Sequence, residues 1–495
     1  MRMIRKITPR FIKIIYRKIF KGKRTSVNNE IPCYIKEDLK PLISNSNIPC
    51  LPFGFKSLGI SDNRATLVWN QEENRVYRYI RPNFQPMLPE VLKRINSCID
   101  LRKMVVSHME TSSSPGLLEQ QFIHPVTRIF EWPPSMVRSY ALYMLDFIGL
   151  LDKAGLSLID MSNFNTTFFE GKFVFYDIGA ITVGKMEKNV FLSMLELLIN
   201  PIILMSYGEY ERAHHYLRQG ESQTNNVGYR DIKGYMPKSV WRTYKRLILY
   251  VVNLINNGNV LQSCTKIKKY VESSFNIVKT TTQWESYSHS IMQSLSEDNL
   301  SLKYKNTVKM IREIKPSSFI DLAGNGGVLS VLLNKEVKYS ICMDLDMNAI
   351  DFLYQYIVTN GINTIYPVFR NILDVSDDKV INNINMPRLR ILQNPYKSDC
   401  AVGLAILHHL IFTEALTFDS VLDCFFSYTD KYLIIEYIDI SHKSAIIHWG
   451  QERLNEFTWY SRENFEKAVR ERADIISVLP SGNETTSLYL LLKRG

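Results

Sequence analysis

The pattern of apolar and polar positions divides the chain into segments with different periods. In residues 1–24, apolar residues recur at helical spacing with cations between them, which predicts a basic amphipathic helix. The apolar positions are Ile4, Ile7, Phe11, Ile14, Ile15 and Ile19. Pro9 would start or split this helix. Residues 25–50 are polar and rich in Ser, Asn and Pro, so they are predicted to form a linker.

Strand and helix patterns are mixed between residues 51 and 190. ATLVWN and RVYRYI have the composition of two strands, and QEEN between them predicts the turn of a hairpin. Helices are expected at residues 89–106 and 136–154, with another strand pair between them. We therefore predict an α+β domain over residues 51–190. FLSMLELLINPIILMSY and VWRTYKRLILYVVNLINN then predict a mostly helical connector over residues 191–300.

Residues 301–495 alternate apolar strands with helices. Strands are predicted within SSFIDL, KYSICMDLD, IYPVFRNILD, SDCAVGLAIL, KYLIIEYI and SLYLLLKRG. This alternation is typical of an α/β fold with a parallel sheet, whose ligand lies at the carboxyl ends of the strands. The sequence thus predicts an α/β domain that is preceded by the α+β domain and the helical connector.

Composition narrows the class of protein. The chain of 495 residues is 45% hydrophobic and 22% charged, which is ordinary for globular domains. No apolar run reaches the roughly 18 residues of a membrane-spanning helix, and we recognise no secretory leader. Seven cysteines are scattered without a CxxC pair. This argues against a zinc ribbon or a disulfide framework and favours a reducing, cytoplasmic compartment.

The net charge of +11 is concentrated in residues 1–24, which hold ten Lys or Arg and no Asp or Glu. The rest of the chain is nearly neutral, whereas a nucleic-acid-binding body normally carries a broad basic face. Nucleic acid is therefore not expected as a partner. The basic helix could lie on an anionic membrane surface, remain a solvated tail, or dock on the protein's own body, and the sequence leaves these alternatives open.

The first strand of the C-terminal domain runs into a glycine-rich turn and a helix start. Small residues in the turn let the backbone approach a ligand, and the helix N-terminus offers free N–H groups. Asp344 ends the second strand about 20 residues later, which is the position that suits hydrogen bonds to both ribose hydroxyls of a nucleoside. The turn lacks the GxGxxG spacing of dinucleotide enzymes, and Asp321 before it fits methyltransferases better.

Several motifs together resemble a bacterial family of class I S-adenosylmethionine-dependent methyltransferases, whose members include nodulation and cell-surface-glycan methyltransferases. They are DLAGNGG, CMDLD, LAILHHL, LIIEY, and YSRENFEKAV with SLYLLLKR. The resemblance spans roughly residues 115–495, and the turn departs from the family's usual Asp-Leu-Gly-Ala-Asn-Thr-Gly at Ala323 and Gly326. It implies a Rossmann-like sheet that binds S-adenosylmethionine. The implied cofactor-binding residues are Asp321, Ala323, Gly324, Asn325, Gly327, Asp344, Leu345, Asn371 and Leu404.

Asn371 takes the place at the end of the third strand where the family usually has an Asp that accepts from the adenine amino group. Its amide carbonyl could still accept this hydrogen bond, and Asp374 is the less favoured alternative. The resemblance also extends to TTTQWESYSHS, where it implies that Trp284 and Tyr287 cover the cofactor.

His408 and His409 follow the fourth strand and are expected to face the methyl group. A histidine there could remove a proton from an acceptor hydroxyl, and we prefer His408 as this base. The alternative is that one of the pair is a structural histidine. Glu436 on the fifth strand could orient the base or simply pair with a nearby Lys or Arg. Asn394-Pro395-Tyr396 precedes the fourth strand, so we interpret it as a turn and not as the motif of an amino-methylating enzyme.

GLSLIDMSNFNTTFFEGKFVFYDIGAI in the α+β domain resembles part of a degenerate small-molecule kinase fold. Asp160 and Asn165 have the spacing of the catalytic-loop Asp and Asn of kinases, and Asp177 begins the sequence Asp-Ile-Gly. Asp160 could position an acceptor hydroxyl, while Asn165 and Asp177 could bind Mg²⁺. No glycine-rich nucleotide loop precedes RVYRYI, and Arg78 or Arg81 replaces the usual lysine. The segment is therefore either an Mg-ATP-dependent kinase or, as we prefer, a scaffold.

Three functions remain open. The first is O-methylation of a bacterial surface polysaccharide or its lipid-linked precursor, with a glycan or glycolipid as the acceptor. The second is a bifunctional kinase-methyltransferase that caps a glycan chain end, an analogy at the level of the fold. The third is a non-catalytic cofactor-binding scaffold attached to a membrane assembly. The expected location is the cytoplasm, with residues 1–24 offering peripheral attachment to the inner membrane.

Overall fold

The computed structural model describes residues 55–61, 65–70, 75–110, 116–159, 161–218, 232–274, 291–292, 295–375 and 394–494. The predicted basic helix and linker over residues 1–50 lie outside these residues. Residues 54–495 cluster into one compact unit, so the described residues of the predicted α+β domain, connector and α/β domain lie in the same unit.

The first part of this unit contains a five-stranded antiparallel sheet. Its strands are β1 (Phe55–Ser61), β2 (Ala65–Asn70), β3 (Arg75–Ile80), β4 (His108–Glu110) and β5 (Leu117–Gln120), in the order β1-β2-β3-β5-β4. The predicted hairpin is confirmed, because β2 pairs antiparallel with β3. The single helix predicted over residues 89–106 is instead two helices, α1 (Leu88–Ser97) and α2 (Ile99–Met104). Cys98 between them has an extended backbone conformation.

A long helix and two small antiparallel pairs follow. Helix α3 (Pro134–Lys153) begins with a proline in its first turn, where no intrahelical donor is lost. It buries one face through Tyr140 and Phe147. The strands are β6 (Leu156–Leu158), β7 (Thr166–Phe169), β8 (Lys172–Phe175) and β9 (Ile181–Val183). Strand β6 pairs with β9, and β7 pairs with β8.

The described residues of the predicted connector are mostly helical. Its helices are α4 (Lys188–Met194), α5 (Asn200–Met205), α6 (Tyr210–Arg218), α7 (Lys238–Asn256) and α8 (Val260–Ser274), with a π-helical turn at Leu195–Ile199 between α4 and α5. Among the described residues, the run Lys188–Met205 is long and apolar enough to cross a membrane, but 78% of it is buried inside the protein. This burial is what a core helix of a globular body requires.

The C-terminal part is built on a seven-stranded sheet. Its strands are β10 (Ser318–Leu322), β11 (Tyr339–Asp344), β12 (Ile365–Phe369), β13 (Ser398–Gly403), β14 (Thr429–Ile438), β15 (Ala473–Pro480) and β16 (Thr486–Lys493), in the order β12-β11-β10-β13-β14-β16-β15. Strands β12, β11, β10, β13 and β14 are parallel to one another, whereas β16 is antiparallel to both β14 and β15. The strand order reverses between β10 and β13, and such a switch point is where open α/β sheets bind ligands. The predicted Rossmann-like α/β fold is thus confirmed.

Helices cover both faces of this sheet. They are α9 (Leu302–Ile314), α10 (Val328–Leu332), α11 (Met347–Thr359), α12 (Leu407–Glu414), α13 (Phe418–Ser427), α14 (Lys443–Trp449), α15 (Gln451–Leu454) and α16 (Arg462–Arg470). Neighbouring strand residues enter different cores, since Phe319 packs with Val308 and Leu329 while Ile320 joins the larger cluster. This two-sided burial explains why the parallel strands are continuous apolar runs in the sequence.

Candidate active site

The turn after β10 is held in a left-handed conformation at three positions. Ala323, Asn325 and Gly327 have φ angles of 61°, 49° and 75°. Residues other than glycine rarely adopt positive φ unless surrounding contacts impose it. The turn is therefore a strained element at the carboxyl end of a central strand.

Two glycines of the turn fill spaces in which no side chain fits. A Cβ at Gly324 would lie 2.7 Å from Cγ of Asp321 and 2.8 Å from Sγ of Cys342. A Cβ at Gly327 would lie 2.8 Å from Cδ1 of Leu353 on α11. The glycines thus let the turn pack closely against Asp321, Cys342 and Leu353.

Asp344 joins the ends of β10 and β11. Its Oδ2 accepts a hydrogen bond from the backbone N–H of Asn325 at 2.8 Å, and its Oδ1 accepts from the backbone N–H of Asp346 at 2.7 Å. The carboxylate of Asp344 retains acceptor capacity for a further donor. Leu345 beside it is 59% exposed, although it is apolar. Asp344 and Leu345 thus lie side by side at the end of β11, and their role towards the cofactor stays a prediction.

Asp321 is buried at the end of β10. Burial and, to a smaller extent, the negative charge of Asp344 raise the pKa of Asp321 to about 7, against the opposing effect of the ammonium of Lys303. A cation that binds next to this buried carboxyl group stabilises its ionised form and lowers its pKa. The predicted role of Asp321 towards the ammonium group of the donor fits this environment.

The loop after β12 holds the two candidates for the adenine contact. The side-chain Oδ1 of Asn371 accepts from the backbone N–H of Leu373 at 2.9 Å, and the backbone oxygen of Asn371 accepts from the N–H of Asp374 at 3.0 Å. The amide carbonyl of Asn371 is thus already engaged in its own turn and keeps one lone pair for adenine. Its role stays a prediction.

The end of β13 is shaped by close packing. A Cβ at Gly403 would lie 2.6 Å from Cε2 of Phe425, and Ala405 has a φ angle of 52°. Leu404 between them is partly buried. The backbone N–H of Ala405 donates to Oε2 of Glu436 at 2.8 Å, and Nζ of Lys303 lies 3.8 Å from the same oxygen.

Glu436 therefore holds the loop after β13 and pairs with a lysine. Of the two roles predicted for Glu436, the structure supports the ion pair, since the described partners of its carboxylate are Ala405 and Lys303. Lys303 was not predicted as a site residue. It lies on α9, far from the strand ends in sequence, and nothing in the local pattern distinguishes it from other helix lysines.

His408 and His409 lie in the first turn of α12, directly after the loop that Glu436 holds. His408 is 5% exposed, and its buried Nδ1 has no hydrogen-bond partner. Burial lowers the pKa of His408 to about 2, helped by the neighbouring His409. Burial and the nearby His448 lower the pKa of His409 to about 4. Both imidazoles are consequently neutral at physiological pH.

Trp449 completes an aromatic cluster around this pair. Its ring lies 5.5 Å from that of His408 and 4.9 Å from that of His409, while His448 lies 5.4 Å from His409. The indole N–H donates to Oγ1 of Thr413 at 3.2 Å, which fixes the ring. Trp449 and His448 were not predicted as site residues. They contact the histidine pair only because α14 packs against α12.

The kinase-like residues are only partly described. Asp160 lies outside the described residues, as do Trp284 and Tyr287. Asp177 Oδ1 accepts from Nη1 of Arg78 at 2.7 Å, and this ion pair is largely buried. Asn165 is buried, and its backbone oxygen accepts from the N–H of Tyr176 at 2.9 Å.

Arg78, and not Arg81, is therefore the strand cation that faces Asp177. Arg78 also donates to Gln120 and to the backbone oxygen of Tyr176. Its charge neutralises the carboxylate that was predicted to bind Mg²⁺. Within the described residues, no group of three or more His, Cys, Asp or Glu side chains is arranged to hold a metal ion.

No protein-family model matches this sequence, and no curated protein matches it. Similar solved structures include the N-methyltransferase NodS from Bradyrhizobium japonicum WM9, which is 13% identical, with a TM-score of 0.29 over 39% of this chain and 94% of NodS. Magnesium protoporphyrin IX methyltransferase from Synechocystis PCC 6803 with bound SAH is 10% identical, with a TM-score of 0.30 over 46% of this chain and 99% of that protein. A S-adenosylmethionine-dependent methyltransferase from Clostridium acetobutylicum ATCC 824 is 11% identical, with a TM-score of 0.29 over 43% of this chain and all of that protein.

Proposed function

We propose that the C-terminal sheet binds S-adenosylmethionine and transfers its methyl group to a hydroxyl of a glycan. The observation that carries this proposal is the geometry of Asp344, which bridges the glycine turn and the next loop while Leu345 beside it is exposed. When bound, this cofactor supplies an electrophilic methyl group on a sulfonium centre. The protein's part is to bind it, orient it and present an acceptor.

On the donor side, each residue has a separate task. The remaining lone pairs of Asp344 accept from the ribose hydroxyls, and Leu345 packs on the base. Asp321 attracts the methionine ammonium group, because a buried carboxyl group next to a cation ionises readily. Gly324 and Gly327 let the turn's backbone approach the methionine portion.

On the acceptor side, the neutral His408 accepts a hydrogen bond from the hydroxyl that receives the methyl group, and takes the proton of this hydroxyl as the oxygen is methylated. Its buried Nδ1 without a partner supports this role, since such a nitrogen is costly unless a ligand satisfies it. Trp449 offers an aromatic face on which the C–H face of a sugar ring can pack. These features support a surface polysaccharide or its lipid-linked precursor as the acceptor.

For the N-terminal region, we propose a scaffold role and not phosphotransfer. The Arg78–Asp177 ion pair supports this choice, because a carboxylate paired with a guanidinium is a poor ligand for Mg²⁺. Residues 1–24 would bring the enzyme to the anionic inner-membrane surface, where lipid-linked glycans are found. Deleting residues 2–24 should then reduce co-sedimentation with anionic vesicles and leave the weak binding to neutral vesicles unchanged.

The decisive experiment incubates the purified full chain with methyl-labelled donor and a lipid-linked oligosaccharide in vesicles. We expect label in the glycan fraction for the wild type and much less at subsaturating donor for Asp344→Ala, whose affinity for S-adenosylhomocysteine should fall by about 1–3 kcal/mol. Cofactor binding without turnover on any glycan would favour the scaffold alternative. A wild type that binds no cofactor would exclude methyl transfer altogether.

A further inference from the structure

The carboxylate of Glu131 lies buried between the N-terminal region and the C-terminal sheet. It is 2% exposed, and it belongs to a short 3₁₀ helix (Ile129–Glu131) that leads into α3. Glu131 accepts hydrogen bonds from the guanidinium of Arg370, from the hydroxyl of Tyr396 and from the backbone N–H of Arg128. Arg370 and Tyr396 are also buried. The contact therefore joins residues that are 239 positions apart in sequence.

Arg370 is in turn one of the residues that hold the loop after β12, together with Tyr428, whose hydroxyl donates to the backbone oxygen of Ile372 at 2.8 Å. Its Nε and Nη2 donate to the backbone oxygen of Asp374 at 3.1 and 2.6 Å. Its backbone N–H donates to the backbone oxygen of Asp344 at 3.0 Å. One arginine thus closes the loop that carries Asn371 and ties the start of this loop to Asp344, the predicted ribose-binding residue.

We propose that Glu131 is a positioning residue for the methyl donor. By neutralising and orienting Arg370, it holds residues 370–374 in the conformation that receives the adenosine half of the cofactor. This inference rests on the proposed function and extends it. Through Glu131, the N-terminal region then stabilises the donor site, in addition to any role in binding the acceptor.

A second buried link between the same two regions provides a contrast. Oδ1 and Oδ2 of Asp351 on α11 accept from the backbone N–H and the hydroxyl of Ser135 at 2.6 and 2.8 Å, at the start of α3. This link also fastens α3 to the sheet, and the hydrogen bonds described for Asp351 run to Ser135 and Gln355, on the helices α3 and α11. If the docking of the two regions alone mattered, breaking either link would weaken donor binding equally.

The test is calorimetric titration of the full chain with S-adenosylhomocysteine, together with steady-state kinetics. Glu131→Gln should weaken binding about tenfold or more, which is the effect expected of one lost charge-assisted hydrogen bond. The donor KM should rise by a similar factor, with kcat at saturating donor changed less than about twofold. Asp351→Asn should keep the donor affinity within about threefold. Asp146→Asn, which breaks the exposed ion pair to Lys268, is the surface control.

If Glu131→Gln fails to fold, the double variant Glu131→Met, Arg370→Met carries the test, because it removes both buried charges and replaces them with apolar side chains. The folded double variant should also bind the ligand about tenfold more weakly. Wild-type affinity in either folded variant would overturn the proposal, and so would an equal loss in Asp351→Asn. A wild type that binds no S-adenosylhomocysteine would instead refute the proposed function.

Discussion

The carboxylate of Asp321 occupies the space that a side chain at position 324 would need. A Cβ on Gly324 would lie 2.7 Å from both Cγ and Oδ2 of Asp321, which is closer than real side chains pack. The glycine therefore does more than allow a turn, because it lets the carboxyl group of Asp321 pack directly against the backbone of the turn. Any larger residue must displace either the acid or the turn.

We accordingly expect Gly324→Ala to abolish measurable donor binding and to lower the free energy of unfolding by about 1–3 kcal/mol, as overpacking does. Thermal melting and calorimetry with S-adenosylhomocysteine measure the two effects. Gly234→Ala is a matched control, because a Cβ there meets nothing within 4 Å. Donor affinity in Gly324→Ala equal to that of the control would contradict the assignment of the turn.

The titration of Asp321 should be visible in donor binding. Burial raises the pKa of Asp321 to about 7, and the cationic donor favours the ionised carboxylate. Below pH 7, binding must therefore release a proton, so affinity should fall as the pH drops, by up to about tenfold per pH unit. Above pH 7 the affinity should level off. In Asp321→Asn this slope should disappear, and a slope that persists would assign the proton to another group.

The same group should affect stability in the opposite direction. An acid whose pKa in the folded state is raised favours folding at low pH, and its contribution is lost as the pH rises from its ordinary value of 3.8 to about 7. Asp321→Asn cannot ionise, so at pH 8 its melting temperature should exceed that of the wild type by about 2 °C or more. A lower melting temperature at pH 8 would show that the carboxylate is stabilised by partners in the folded protein.

His408→Ala should reduce kcat by about 10²-fold or more, if the imidazole accepts the hydrogen bond of the reacting hydroxyl. Because the pKa of His408 is lowered to about 2, the ring is neutral throughout the ordinary working range. With saturating donor, kcat should show no acidic limb from this residue between about pH 5 and 8. His215→Ala on α6 serves as the control. The prediction would be contradicted if the pH profile of kcat had an acidic limb near the ordinary histidine pKa in the wild type but not in His408→Ala. Such a limb would show that the ring of His408 is protonated in the complex.

Asp177→Ala distinguishes the scaffold from the kinase. Because Arg78 neutralises this carboxylate, we expect no Mg²⁺-dependent phosphorylation of glycan acceptors by the wild type. Methyl transfer to small acceptors by Asp177→Ala should stay within about twofold of wild type, since the donor is proposed to bind the other region. A phosphorylated glycan that the wild type produces and Asp177→Ala does not would establish the bifunctional enzyme. Arg78→Met, which frees the carboxylate, is the reciprocal variant.

The features that the sequence predicted correctly are those that depend on local pattern. The apolar runs of the parallel strands, the glycine turn and the position of Asp344 can be read from the sequence, because each depends on neighbours within about 20 residues. Strand β15 (Ala473–Pro480) was not predicted. Its residues alternate between more buried and more exposed positions, unlike the continuous apolar strands beside it. The break at Cys98 was missed because nothing in its local composition marks it.

The missed site residues share a different cause. Lys303, Arg370, Glu131 and Trp449 acquire their roles from side-chain contacts between segments that are distant in sequence, as in the link between Glu131 and Arg370. Periodicity shows which face of an element is buried, but not which polar group it meets there. Glu436 is an example. The sequence places this residue on the fifth strand of the sheet, but it does not identify Lys303 as the partner of its carboxylate.

The position of β16 has a consequence for synthesis. This strand is translated after every other strand of the sheet, yet it lies between β14 and β15, antiparallel to both. Until the ribosome has released Thr486–Lys493, β14 has an unpaired edge and β15 has no neighbour in the sheet. A chain stalled at this stage would expose backbone donors and acceptors to other chains, which is the usual route to edge-to-edge aggregation. Pairing of β16 with β14 and β15 is thus the last step in completing this sheet, and the edge of β14 stays open to other chains until that step is made.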